Sequence, residues 1–218
     1  MKISYKAILR QMIDCGRLLW DKDLVGGYNG NISILAPDGN IIITGRGTCL
    51  GRLTPRDFAV VDSQGRPVDG EASSETRLHV DIYRSLPGVE VVVHTHTTFT
   101  NAFFLKRRMF HPETFEGVAL LGDVPGIPQA AVNVTDTAPV VSALLSHKMV
   151  ALRRHGIVAP GKAWFDCVAR IQVLEEQIKM AAVSRLFEEG LWTEQFPCSR
   201  KTNFRKSASA SGNSKATT

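Results

Sequence analysis

The run Val89-Glu90-Val91-Val92-Val93 constrains this chain more than any other feature. Its β-branched side chains favour extended backbone, and it is too apolar for an open surface, so it has to be a buried strand. It leads directly into His94-Thr95-His96. Residues two apart on a strand point to the same side, which places both imidazoles on one face, about 6–7 Å apart at their Cα atoms. Two histidines so placed can converge on one ion. Zinc takes at least three protein ligands, with an open position where the ion is catalytic. His155 is the best third candidate, because it too closes an apolar stretch and is followed by Gly156, which allows a tight turn beside a crowded centre. The competing reading makes each histidine an ordinary hydrogen-bonded residue, and spacing alone leaves both readings open. His111 and His147 lack such a setting. His79 sits mid-helix, as a structural residue or one standing behind a ligand.

The rest of the chain supplies what would cover that strand. Residues 3–21 carry apolar side chains at helical spacing and predict a first helix. A glycine- and asparagine-rich loop then runs into a short strand, turned at Pro37-Asp38-Gly39-Asn40 into the returning strand Ile41–Thr44. Phe58–Asp62 is a further strand, closed by Ser63-Gln64-Gly65. Helices are predicted over 73–86, 97–106, 137–146 and 163–189, with a loop and broken strands from Arg107 to Thr135. Met149–Leu152 is a strand that His155–Ala159 continues. Hairpins outnumber strand–helix–strand units, so the expected fold is a single α/β domain over 1–198 with a central, mostly antiparallel sheet flanked by helices.

One acid stands out. Glu75, in Ala72-Ser73-Ser74-Glu75, lies at the expected start of a helix, where first-turn N–H groups favour anions. Spacing favours a plain capping cluster, with Ser73 or Ser74 as the cap. The functional reading has Ser73, Ser74 and the free N–H groups hold a phosphate while Glu75 turns toward the metal. Gly26–Asn31 and Thr44–Thr48 are turns or anion-binding nests of backbone N–H groups; in the second, Arg46 adds a guanidinium suited to phosphate. Neither matches a dinucleotide or P-loop pattern.

The formal charge of +5 resembles a nucleic-acid signature until it is located. Between Ser199 and Thr218 lie Arg200, Lys201, Arg205, Lys206 and Lys215, and no acid; without them 21 basic residues face 21 acidic ones. The excess belongs to a Ser/Thr-rich tail, 199–218, expected to be disordered. No nucleic-acid or membrane partner is expected. Cys15, Cys49, Cys167 and Cys198 are scattered, which argues against disulfides or a thiolate site and for a cytoplasmic protein.

In order along the chain come GYNGNIS (27–33), IITGRG (42–47), EASSETRLHVDIYRSLPGVEVVVHTH (71–96), LRRHGIV (152–158) and VLEEQIKMA (173–181). This array resembles the class II aldolase/adducin-head family, nearest its small fuculose-1-phosphate-type aldolases. The resemblance implies one zinc ion per chain on His94, His96 and His155, with Glu75 as resting ligand and as acid/base. It implies a phosphate among Gly30, Asn31, Arg46, Gly47, Ser73 and Ser74, and a homotetramer with active sites between subunits. The implied reaction is C3–C4 cleavage of a ketose 1-phosphate to dihydroxyacetone phosphate and an aldehyde. A 4-epimerase, a dehydratase, a decarboxylase and a non-catalytic adducin-like interaction module are the alternatives on the same scaffold. Three departures mark the chain. Arg46 stands where the family's phosphate loop usually has a small hydroxylic residue, and Gly45 where it usually has a proline. The tyrosine expected for the aldehyde is absent from Phe110–Glu116 and from Gln129-Ala130-Ala131, and Phe110 and Phe115 suggest an apolar aldehyde pocket instead.

Overall fold

The computed structural model describes residues 5–188, so the expected tail at 199–218 and the boundary at 198 lie outside the described residues. Internal contacts divide the chain after Ala182. The first unit holds everything discussed below, and the described part of the second, Val183–Glu188, is helical.

Among the described residues the strands are β1 (Asn31–Leu35), β2 (Ile41–Thr44), β3 (Phe58–Val61), β4 (Pro67–Asp69), β5 (Val91–Thr95), β6 (Met109–Phe110), β7 (Val124–Ile127), β8 (Val150–Leu152) and β9 (Gly156–Gly161). They form one sheet in the order β4-β3-β2-β1-β5-β9-β8-β7-β6, in which only β7 and β8 pair in parallel. The helices are α1 (Lys6–Asp21), α2 (Thr76–Ser85), α3 (Thr98–Phe104), α4 (Phe115–Leu120), α5 (Ala138–Leu144) and α6 (Trp164–Glu188). The expected α/β architecture with a mostly antiparallel sheet is what the chain adopts. No helix among the described residues is long and apolar enough to cross a membrane.

The valine run explains the layering. β5 lies at the centre, paired with β1 and β9, and every residue from Val91 to Thr95 is buried. Val91 and Val93 pack on one side with Met12, Cys15 and Leu19 of α1 and Ile171 and Leu174 of α6. Val92 packs on the other side with Leu78 and Ile82 of α2 and Val140 and Leu144 of α5. Each fully buried valine contributes about 1.5 kcal/mol or more, so both faces resist a register slip. A slip of one residue would also carry His94 to the wrong face.

Three expectations are corrected. The second helix begins at Thr76 rather than 73, with Glu75 at the capping position, and neither Ser73 nor Ser74 is the cap. The reason is local pairing. Ala72 bridges Gly45, and the Ser73 N–H donates to the Thr44 carbonyl, which holds the chain to the sheet as far as Ser73; a turn closed by the Thr76 N–H on the Ser73 carbonyl then leads into the helix. His155–Ala159 does not continue the preceding strand but reverses against it as β9, antiparallel to β8. Arg154, with φ of +66°, makes the reversal and leaves His155 in the turn. The stretch Arg107–Thr135 holds a helix, α4, beside its short strands.

Candidate metal centre

The centre is assembled by register. Asn31 at the start of β1 lies opposite His94 on β5, and His94 lies opposite Val158 on β9. His96 follows two residues past His94, and the β8–β9 turn returns His155 to the same end of the sheet. The three imidazoles meet with ring centroids 4.7–4.9 Å apart, and their ligand atoms all lie within 4.8 Å of one another. Glu75 arrives from the start of α2, with Oε2 3.2 Å from His94 Nε2 and Oε1 3.4 Å from His155 Nε2.

Electrostatics then decides what this cluster suits. Burial holds His94 and His96 down to about 3, and it lowers His155 against the opposing pull of Glu75. All three rings are therefore neutral near pH 7. His94 Nδ1–H donates to the Ile157 carbonyl at 2.9 Å, which leaves Nε2 as a bare lone pair, 2.8 Å from His96 Nε2. Glu75, 5% exposed, has only neutral imidazoles at ion-pair distance, and its Oε1 has no hydrogen-bond partner. A buried carboxylate beside converging lone pairs is costly unless a cation joins them. The donor set, three imidazole nitrogens and one carboxylate, fits a divalent transition ion.

Neighbouring groups hold the candidate ligands in place. Asn101 Nδ2 donates to the His155 carbonyl at 3.1 Å. Glu175 of α6, 3% exposed, accepts from the Phe99 and Thr100 N–H groups and from the Thr100 hydroxyl, fastening α3 just beyond His96. Gly156 leaves space that nothing larger can occupy. A Cβ there would lie 2.2 Å from the Thr95 carbonyl oxygen, 2.8 Å from His94 Cε1 and 2.9 Å from His96 Cδ2. Gly156→Ala is therefore expected to lower stability by about 1–3 kcal/mol or more and to reduce divalent-metal retention. Thermal unfolding and elemental analysis of the desalted protein check both.

Beside the histidine cluster lies a cavity of about 140 Å³. Gly30, Asn31, Arg46, Gly47, Ser73 and Ser74 all line it, together with Glu75, His96 and His155. Gly30 takes φ of +81° with the His94 carbonyl 2.7 Å from where a Cβ would sit, so only glycine fits. Arg46 is largely exposed and lies 3.9 Å from Glu71, a weak pair that leaves the guanidinium available. The side chain of Asn31 is engaged elsewhere: Nδ2 donates to Glu75 Oε2 and Oδ1 meets His79. Sequence reading missed Val132 and Asn133 on the cavity wall, since their loop carries no motif. Glu175 lay inside a quoted segment but had no assigned task. Of the two residues suggested for an apolar pocket, Phe110 is buried against Phe103 and Phe115 is exposed, and neither lines this cavity.

The family described as Class II Aldolase and Adducin N-terminal domain matches residues 10–182. The chain belongs to that family. An L-fuculose phosphate aldolase of Methanococcus vannielii is 32% identical over 181 residues, covering 83% of this chain and 99% of that protein. A 3-oxo-tetronate 4-phosphate decarboxylase of Escherichia coli K12 is 28% identical, covering 80% of this chain and 86% of its own length. The crystal structure of L-fuculose-1-phosphate aldolase from Thermus thermophilus superimposes with a TM-score of 0.77 at 28% identity, over 84% of this chain and 96% of that one. This member of the class II aldolase/adducin family thus has the fold of its aldolases, with the three histidines and Glu75 gathered at one end of the sheet.

Proposed function

We propose that the protein is a zinc-dependent aldolase that cleaves the C3–C4 bond of a ketose 1-phosphate to dihydroxyacetone phosphate and an aldehyde. The observation carrying this reading is the buried Glu75 carboxylate among three neutral imidazoles, opening onto a cavity with anion-binding character. Bound there, zinc supplies Lewis-acid stabilisation of the enediolate left when the carbon–carbon bond breaks. The chain's own groups do the rest. His94, His96 and His155 would hold the ion. Ser73, Ser74, Arg46 and the N–H groups of Gly30 and Gly47 hold the phosphate, while Asn31 contributes through its backbone. Cleavage moves one proton, from the C4 hydroxyl to C3, and Glu75 Oε1, buried and unpartnered, delivers it at C3. The reading includes a cytoplasmic homotetramer, and the nearly full exposure of Phe115, at 98%, supports a covering partner surface.

A second reading is decarboxylation of a phosphorylated 3-oxo acid. It is supported by the decarboxylase relatives and by the altered aldehyde side. Loss of carbon dioxide from such an acid leaves the same enediolate but needs no base for an aldehyde-side hydroxyl, so it dispenses with the missing tyrosine.

The test is a mass-spectrometric screen with zinc-loaded protein. Dihydroxyacetone phosphate released with an aldehyde from a ketose 1-phosphate supports the first reading. Its release with carbon dioxide from a 3-oxo acid phosphate replaces that reading by the second, and release from neither overturns both. Arg46→Ala is expected to raise KM about tenfold for the phosphorylated substrate, the lower end for a lost charge-assisted hydrogen bond at an exposed site. Turnover of the unphosphorylated analogue should not change, and steady-state kinetics with both compounds checks this.

A further inference from the structure

Behind the metal centre runs a line of buried polar groups that the chemistry above does not use. Asn31 and Ser33 lie on one face of β1, and His79 and Tyr83, four apart, lie on the facing side of α2. Asn31 Nδ2 meets Glu75 Oε2 at 3.0 Å, and Asn31 Oδ1 meets His79 Nε2. His79 Nδ1 meets Ser33 Oγ at 2.6 Å, and Ser33 Oγ meets the Tyr83 hydroxyl at 2.7 Å. Ser33 and His79 have no exposed surface, and Asn31 and Glu75 are 6% and 5% exposed.

Each proton in this line has one possible place. A carboxylate only accepts, so the Asn31 amide must turn its N–H toward Glu75 and its oxygen toward His79. That oxygen also only accepts, so His79 Nε2 carries the ring hydrogen. Burial holds His79 down to about 3, so the ring is neutral and Nδ1 is a lone pair. Ser33 must then donate to Nδ1, and the Tyr83 hydroxyl must donate to Ser33. Every donor points toward Glu75, an arrangement in which successive hydrogen bonds polarise one another.

The line ends on one oxygen only. Oε2 is held by Asn31, whereas Oε1, nearer His155, has no hydrogen-bond partner. We propose that His79 is a positioning residue that acts through Asn31 to fix the Glu75 carboxylate, pinning Oε2 so that Oε1 alone is presented to the metal and substrate. Ser33 and Tyr83 keep His79 in the tautomer this requires. The inference rests on the reading of Glu75 as the acid/base.

Two measurements test it separately from that reading. Imidazole nitrogen NMR of the purified full chain should show His79 as the neutral Nε2–H tautomer from about pH 5 to pH 8. Ser33→Ala should increase the Nδ1–H form. An Nδ1–H tautomer in the wild type overturns the proposal whether or not a substrate is known. For kinetics, L-fuculose 1-phosphate and a 3-oxo acid phosphate are the probes. His79→Leu should lower kcat roughly 10–100-fold with metal content unchanged and KM within about twofold. His79→Gln, whose amide N–H reaches the place of Nε2, should recover most of the loss. If His79→Leu does not fold, Ser33→Ala should still lower kcat several-fold. Because both residues act on one carboxylate, adding His79→Leu to Asn31→Ala should cost less than about twofold more. Full additivity, or equal losses in the Leu and Gln variants that follow their melting temperatures, would mean a purely structural network. If neither probe is turned over while the tautomer is as stated, the reading of the reaction fails and the positioning stands.

Discussion

Glu75→Gln is expected to keep its divalent ion and to lose about 10²–10⁴-fold in kcat, the range removed with a positioned acid/base. The side chain is 5% exposed and closely surrounded, so an isosteric amide is the least disruptive replacement. Its carbonyl oxygen can still accept from Asn31 Nδ2, as Oε2 does at 3.0 Å. The amide nitrogen would then take the place of Oε1, where it cannot accept a proton. Three imidazoles remain to hold the ion. Steady-state kinetics beside elemental analysis makes the distinction: full activity removes Glu75 from the chemistry, and loss of metal with activity makes it chiefly a ligand.

His155→Ala is the second large effect. His155 lies in the β8–β9 turn rather than inside a strand, so its loss is expected to leave the sheet intact. Metal affinity should fall by more than the roughly 10–100-fold typical of losing an outer partner, and turnover should fall to background. His94 would be the poorer choice, since with no exposed surface its removal also opens a core cavity. A ligand that binds only the folded state stabilises it by about 2.7 kcal/mol at 100 times its Kd. Thermal unfolding of the wild type should therefore shift upward on adding zinc to chelated protein, while the variant shows no shift. A variant that binds and responds like the wild type would exclude His155 as a ligand.

The histidine cluster also shows which parts of a site can be read along a chain. His94 and His96 were legible because strand alternation is a local property of two residues and their neighbours. The six cavity residues were legible only through the ordered array of motifs, because each loop taken alone was equally a turn. Asn31 was read as a phosphate group, yet its side chain faces Glu75 and His79. That assignment depends on which face of β1 is covered by α2, a contact between residues more than 40 positions apart. The capping position of α2 was misplaced for the same kind of reason. Serines commonly cap helices, but here the bridge from Ala72 to Gly45 and the turn over Ser73–Thr76 place both ahead of the helix.

By itself the sequence determined that Val89–Val93 would be a buried strand in an α/β sheet, and that His94 and His96 would share a face, since both follow from the period of two and the cost of exposing valine. Only the tertiary structure decided that Glu75 would meet them, that His155 would reach them from a reversing turn, and that Asn31, His79, Ser33 and Tyr83 would stand in line behind Glu75. Those meetings depend on the register of β1 against β5 and of β5 against β9, and register is set by the packing of two distant apolar layers rather than by any neighbouring residues.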